Sequence, residues 1–279
     1  GKYPPPKGAS PLLGLEMSGT VAGVGPGTAR WKEGDKVCGL LPGGGYAEYA
    51  VIHEDLALPV HSGMSLTDAA AVPEVFMTAF QALRWLADLQ ESESILIHAG
   101  GSGVGTAAIQ LAREFGAANI IVTASKPKHE ICRTLGADRA VDYKNVDFAE
   151  AVKEYTKGRG VDVVIDFIAA PYFTRNLEVL RTDGRLVVLA FLGGTKPENV
   201  NLLPVLQKRL KIIGTTLRSR SLEYKIELAR NLYEFGSERF ADGRLKPVID
   251  SVFRLEEAAD AHRYMEANSN TGKILLKVE

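Results

Sequence analysis

One stretch constrains this chain more than any other: Ile95-Leu96-Ile97-His98-Ala99-Gly100-Gly101-Ser102-Gly103-Val104-Gly105-Thr106-Ala107-Ala108. It reads as a short buried strand, a glycine-rich turn and the first turns of a helix. A strand that passes through such a turn straight into a helix opens a βαβ unit, and βαβ units build parallel sheets with helices on both faces. Gly103, Gly105 and Ala108 carry the GxGxxA spacing of a dinucleotide site. There the first glycine permits the tight turn, the second admits the pyrophosphate to the backbone, and a small third residue lets helix and strand pack closely. The phosphates would sit at the positive end of the helix, facing its free N–H groups. A plain tight turn, with its glycines serving packing alone, is the alternative.

The segments that follow keep the same rhythm. Asn119 to Thr123 reads as a strand, Lys128 to Leu135 as a helix closed by Gly136, and Val161 to Ile168 and Arg185 to Leu192 as continuous apolar runs. Such runs mark parallel strands covered on both faces. Before this region, short strands at Gly19–Val24, Asp35–Leu40 and Gly45–Val51 are broken by Gly25-Pro26-Gly27 and Pro42-Gly43-Gly44-Gly45, which predicts an antiparallel β domain. After Gly214 come an amphipathic helix from Leu222 to Phe235, a strand near Pro247–Phe253, a helix at Leu255–Ala267 and a last strand at Lys273–Val278. The fold expected is α/β. A doubly wound parallel-sheet (Rossmann) domain over residues 77–217 is flanked by a β-rich catalytic domain built from both ends, residues 1–76 and 218–279.

The second strand of the series tests which nucleotide the turn would hold. An NAD site places an acidic residue there for the ribose 2′-OH, but the strand ends Val122-Thr123-Ala124-Ser125-Lys126-Pro127-Lys128. A hydroxyl and two cations suit a 2′-phosphate, so NADPH is the expected cofactor. The lysines could instead cap a solvated helix start, although cations there oppose the helix dipole.

Charge and composition narrow the partners. Lys and Arg total 33 against 34 Asp and Glu, so no positive excess exists to neutralise a nucleic-acid backbone or an anionic membrane, and small molecules are expected. Two cysteines, Cys38 and Cys132, are too few for a disulfide framework or a four-thiolate zinc site, and predict a reducing, cytoplasmic setting. No apolar run approaches the ~20 residues that cross a bilayer. The chain opens Gly1-Lys2-Tyr3-Pro4-Pro5-Pro6 with no signal-peptide pattern and no initiator Met, as a fragment would.

Several motifs together carry a family resemblance: Leu13-Gly14-Leu15-Glu16-Met17-Ser18-Gly19, Pro42-Gly43-Gly44-Gly45-Tyr46-Ala47-Glu48-Tyr49, Ala69-Ala70-Ala71-Val72-Pro73, Thr78-Ala79-Phe80, the glycine turn itself, and Gly136-Ala137-Asp138. Their order resembles the zinc-free quinone oxidoreductases of the medium-chain dehydrogenase/reductase superfamily. The likeness is greatest to the ζ-crystallin-like, tumour-suppressor-inducible NADPH quinone oxidoreductase subgroup and covers essentially the whole chain. It implies that the β-rich domain is GroES-like. Family members usually carry a further segment before the point where this chain begins, so part of that domain would be missing here. Zinc-dependent relatives read Gly-His-Glu where this chain reads Gly14-Leu15-Glu16, and an aliphatic side chain cannot ligate zinc. The five histidines lack ligand spacing, so no metal is expected.

The resemblance further implies hydride transfer from NADPH to a quinone. The alternatives are an enone or alkenal double bond as acceptor, or an NADPH-binding dimer without turnover. Tyr3 matches a substrate-pocket tyrosine that could donate to a developing oxyanion, or it packs on the prolines. Ser102 matches a subgroup serine, with cofactor contact favoured over nucleophilic work. By the same resemblance Thr78 lies near the nicotinamide, Tyr143 near the 2′-phosphate, and Phe191, Leu192 and Gly193 line the nicotinamide pocket. Gly100, Gly101, Ser102, Gly103, Val104, Gly105, Ser125 and Lys128 complete the cofactor set. Arg218 contacts cofactor or forms a surface ion pair, and Asp166 lines the cleft or caps a turn. A homodimer is expected, its sheet extended across a two-fold axis near Arg185–Leu192.

Overall fold

The computed structural model describes residues 5–278; Tyr3 lies outside the described residues. The chain forms two compact units, one of residues up to Thr78 together with those from Leu217 onward, the other of Ala79–Thr216.

In the first unit, β1 (Glu16–Thr20), β2 (Lys36–Leu40) and β3 (Ala57–Pro59) pair antiparallel in that order. Helix α1 (Leu66–Ala70) follows, its first turn closed by Ser65, whose Oγ accepts the Asp68 amide at 3.0 Å. Helix α2 (Pro73–Phe80) begins on a proline, which has no N–H to lose there, and runs on as a π-helical turn, Gln81–Leu86. Gly45–Val51, predicted as a strand, is irregular. Its alternating apolar side chains find no core face, with Tyr49 78% and Val51 93% exposed. Its start is bound instead to the chain entering β1, where the Gly44, Gly45 and Tyr46 amides donate to Leu12, Gly14 and Leu13 carbonyls at 2.9–3.0 Å.

The second unit holds β4 (Ser94–Ile97), α3 (Gly103–Glu114), β5 (Asn119–Ala124), α4 (His129–Thr134), β6 (Arg139–Asp142), α5 (Phe148–Tyr155), β7 (Val161–Asp166), α6 (Phe173–Val179), β8 (Leu180–Val188), α7 (Leu203–Gln207) and β9 (Lys211–Gly214). The strands form one parallel sheet in the order β6-β5-β4-β7-β8-β9. This is the doubly wound order, with its reversal between β4 and β7. Ile95–Ile97, Ile120–Val122 and Val163–Ile165 are fully buried, as strands with helices on both faces must be.

The apolar run Arg185–Leu192 is only partly strand. β8 begins earlier, at Leu180, and stops at Val188, beyond which Phe191 and Leu192 leave the sheet into solvent. Because β9 pairs with β8, the strand expected at a dimer edge is interior, and β9 ends the sheet on that side.

The rest of the first unit comprises α8 (Leu222–Ala241), β10 (Ile249–Arg254), α9 (Ala258–Glu266) and β11 (Lys273–Lys277), with β10 and β11 paired in parallel. No helix among the described residues is long and apolar enough to cross a membrane.

One ion pair staples the N-terminal end of the parallel sheet. The Arg185 guanidinium donates to both Glu93 carboxylate oxygens at 2.8 and 2.6 Å, and to the Ala87 and Asp88 carbonyls at 2.8 and 3.1 Å. Both side chains are largely buried. Removing one partner strands the other charge, so Glu93→Ala is expected to cost about 3 kcal/mol in denaturant melts.

Candidate functional site

The glycine turn stands at the carboxyl end of β4, beside the point where the strand order reverses. Ala99 takes a left-handed conformation at φ +50°, which turns the chain sharply out of the strand. The Gly100 amide donates to the Thr123 carbonyl at 2.9 Å and the Ser102 amide to the Ala99 carbonyl at 2.9 Å. A Cβ at Gly105 would lie 2.3 Å from the Ala99 carbonyl oxygen, and one at Gly100 would lie 2.8 Å from Val122 Cβ. Gly105 thus lets the start of α3 close on the turn, and Ala108, the small third residue of the spacing, is buried in α3. Ser102 is the N-cap of α3, its Oγ accepting the Gly105 amide at 3.1 Å. That leaves the hydroxyl proton to donate, and the Gly103 and Val104 amides without acceptors inside the helix.

Other expected residues gather along the same sheet edge. A Cβ on Gly101 would press the Lys128 stem, 2.7 Å from Cδ, so the bare glycine seats that lysine against the turn. Ala124 of β5 pairs with Asp142 of β6, so Ser125 and Tyr143, the next residues, leave the sheet side by side. The loop after β8 is tied to the loop after β7, with Leu192 and Gly193 amides donating to the Phe167 and Ile168 carbonyls at 3.0 and 2.8 Å. Phe191, Leu192 and Gly193 therefore also stand at the carboxyl edge.

Beneath the turn, Asp166 belongs to a set whose other members, His98, Thr123 and Asn176, carried no role in the sequence reading. His98 is fully buried, with Nδ1 3.0 Å from Thr123 Oγ1 and Nε2 2.8 Å from Asn176 Oδ1. Burial holds its pKa below the usual histidine value, against the pull of nearby Asp166. Asp166 caps its own loop, accepting the Ile168 and Ala169 amides at 2.7 and 3.1 Å, and takes the Asn176 amide group at 2.9 Å. Of the two readings of Asp166, the turn cap is the one observed.

The first unit carries its own polar cluster. The Lys273 ammonium is ion-paired with Glu16, whose other oxygen accepts the Glu74 amide at 2.9 Å. Burial, then the Glu16 charge, pushes Glu74 up to about 7, only partly offset by Lys273 and Arg218. Tyr46 Oη lies 3.0 Å from His262 Nε2, and burial raises the phenol pKa. Arg218 donates from Nε and from its terminal nitrogen to the Pro42 carbonyl at 3.0 and 2.9 Å. Thr78 lies in the last turn of α2 and is partly exposed.

These donors do not suit zinc. Among the described residues no three His, Cys, Asp or Glu side chains converge on a metal position. Cys38 is buried in β2 with its thiol pushed up to about 12 by burial and by Glu16, so it holds its proton.

Both units match known sequence families. The alcohol dehydrogenase GroES-like domain family matches residues 1–62, and the zinc-binding dehydrogenase family matches residues 103–232. A solved structure of the CurK enoyl reductase is 30% identical with a TM-score of 0.85, over 96% of this chain and 80% of that one. The chain belongs to the medium-chain dehydrogenase/reductase superfamily. The quinone oxidoreductase of Escherichia coli, solved in complex with NADPH, is 29% identical with a TM-score of 0.85, over 98% of this chain and 84% of that one. The phthioceranic/hydroxyphthioceranic acid synthase of Mycobacterium bovis is 34% identical over the whole of this superfamily member, which spans 13% of the synthase's length.

The half-buried Glu74 makes stability pH-dependent. Its folded pKa lies above its unfolded value, so the folded chain keeps a proton that the unfolded chain releases, and stability falls as pH rises from about 4.5 to about 7. Glu74→Gln mimics the protonated acid, and its melts should gain on the wild type across that window by on the order of 2 kcal/mol.

Proposed function

We propose that this chain is a metal-independent reductase that passes hydride from NADPH to a conjugated carbonyl acceptor. The observation that carries this reading is the turn at the carboxyl edge, where Gly100, Gly101 and Gly105 let Val122, Lys128 and Ala99 pack closely against it and the Gly103 and Val104 amides at the start of α3 have no acceptor inside the helix. The residues present fit a dinucleotide. The Gly103 and Val104 amides and the Ser102 hydroxyl would hold the pyrophosphate. Ser125, Lys128 and Tyr143 would hold the 2′-phosphate by hydroxyl donation and positive charge. Phe191, Leu192 and Gly193 would bound the nicotinamide and keep water from it. When bound, NADPH supplies the hydride, and the protein contributes position and a dry, oriented setting.

An α,β-unsaturated carbonyl is the acceptor favoured first. The likeness to the CurK enoyl reductase supports it, as does the absence of a zinc donor set among the described residues, because a conjugated acceptor is already electrophilic. Quinones are the second reading, supported by the likeness to the E. coli quinone oxidoreductase. Tyr3 is the candidate for donating to oxygen as negative charge develops there, while Ser102 serves the cofactor.

Calorimetry is expected to show micromolar NADPH binding, with Lys128→Glu weakening it at least about tenfold and NADH much less affected. NADPH oxidation should then proceed with crotonyl-CoA faster than with 1,4-naphthoquinone. The reverse order would favour the quinone reading, and binding without turnover would leave a cofactor-binding protein.

A homodimer is proposed through β9, which ends the parallel sheet with Ile212 43% exposed beside exposed Leu202, Leu203 and Leu206. Light scattering at micromolar concentration should give twice the chain mass, and a monomer would defeat this reading.

A further inference from the structure

The buried groups under the glycine turn have a single consistent direction. Asp166 has only acceptors, so the Asn176 amide must present its NH2 to it, at 2.9 Å. Asn176 Oδ1 then faces His98 Nε2 at 2.8 Å, which places the imidazole proton on Nε2. With its pKa lowered by burial, the ring is neutral at pH 7, so Nδ1 is an acceptor and the Thr123 hydroxyl donates to it at 3.0 Å. The same Thr123 oxygen receives the Ala99 amide at 3.3 Å. Flipping the Asn176 amide would set oxygen against carboxylate and NH2 against the ring N–H, so no alternative orientation satisfies the set. The edges and faces of the Phe148 and Tyr172 rings close off the imidazole at centroid distances of 4.7 Å, and Arg175 is the cation nearest to it in influence.

The chain of bonds joins two places that the cofactor would touch separately. At one end is Ala99, the left-handed residue that starts the glycine turn. At the other, Asp166 fixes the Ile168 and Ala169 amides, and the Ile168 carbonyl receives Gly193 of the exposed 191–194 loop at 2.8 Å. We infer that Thr123, His98, Asn176 and Asp166 form a one-directional buried relay that sets the spacing between the pyrophosphate turn and the nicotinamide-side loop. They are positioning residues for the bound dinucleotide. This inference rests on the cofactor reading above. The partners come from the end of β4, where His98 follows Ile97, and from β5, β7 and α6, so loss of any one link loosens the spacing of the two loops, while the backbone bonds between the strands, such as His98 amide to Ile165 carbonyl at 3.0 Å, remain.

Thr123→Val tests it, since valine keeps the shape and deletes the hydroxyl that joins Ala99 to His98. Calorimetry would compare NADPH, which spans both loops, with 2′,5′-ADP, which carries the adenosine end alone. NADPH binding is expected to weaken about tenfold and 2′,5′-ADP binding to change less than about twofold, with Thr123→Ser restoring the wild-type value. In ligand-free protein at neutral pH, ring ¹⁵N spectra should show His98 neutral and protonated on Nε2. Unchanged NADPH affinity in Thr123→Val would overturn the inference, and so would an equal loss of both ligands, which is the signature of a merely structural side chain. Should Thr123→Val fail to fold, Asn176→Ser breaks the relay on the far side of His98 and must show the same split. A wild-type chain that binds neither ligand would overturn the cofactor reading itself, before any variant is examined.

Discussion

Everything at the carboxyl edge of the parallel sheet depends on how closely α3 approaches the end of its own strand. The approach exists because Gly105 has no side chain: a single carbon there would sit 2.3 Å from the Ala99 carbonyl oxygen. With the helix start held so near, its first amides point back over the strand end rather than into solvent. Gly100 lets Val122 of the neighbouring strand close in, and Gly101 lets the Lys128 stem lie across the turn. Three elements meet at one point because three side chains are missing. The left-handed Ala99 is the strained residue that the meeting requires, and bonds to Thr123 and Ser102 hold it.

Much of this was legible in the sequence, for a physical reason. A strand buried on both faces must be continuously apolar, and Ile95–Ile97, Ile120–Val122 and Val163–Ile165 announce themselves by that alone. The glycine turn is local, so spacing reveals it. The reading failed where the same local signal has two outcomes. Gly45–Val51 alternates like a strand, yet its apolar side chains have no core to face. Arg185–Leu192 is apolar throughout, but only its first half is sheet, and its second half carries exposed Phe191 and Leu192 into the loop. Strand and apolar loop differ there in partners, which lie elsewhere in the chain.

The polar groups were the least legible part of the site. His98 read as an unremarkable histidine because Thr123 and Asn176 stand 25 and 78 residues away. Glu16 and Lys273 are separated by 257 residues, and nothing local in either segment points to the other. Hydrogen bonds of this kind leave no period in the sequence; only the topology, which returns the last strand to the first unit, brings such partners together.

The two units divide the chemistry. The parallel-sheet unit offers amide donors, a hydroxyl and a lysine, a set suited to phosphate. The first unit offers ionisable groups held away from their ordinary pKa values, a phenol and an imidazole in contact, and a carboxyl that keeps its proton near neutrality. Such groups can move or hold protons, yet with Leu15 at the ligand position and the Cys38 thiol protonated they do not make a Lewis-acid site. On the reading proposed above, the cofactor is anchored through its phosphates by amides and a lysine, and the favoured acceptor, a double bond conjugated to a carbonyl, brings its own electrophilicity to the hydride.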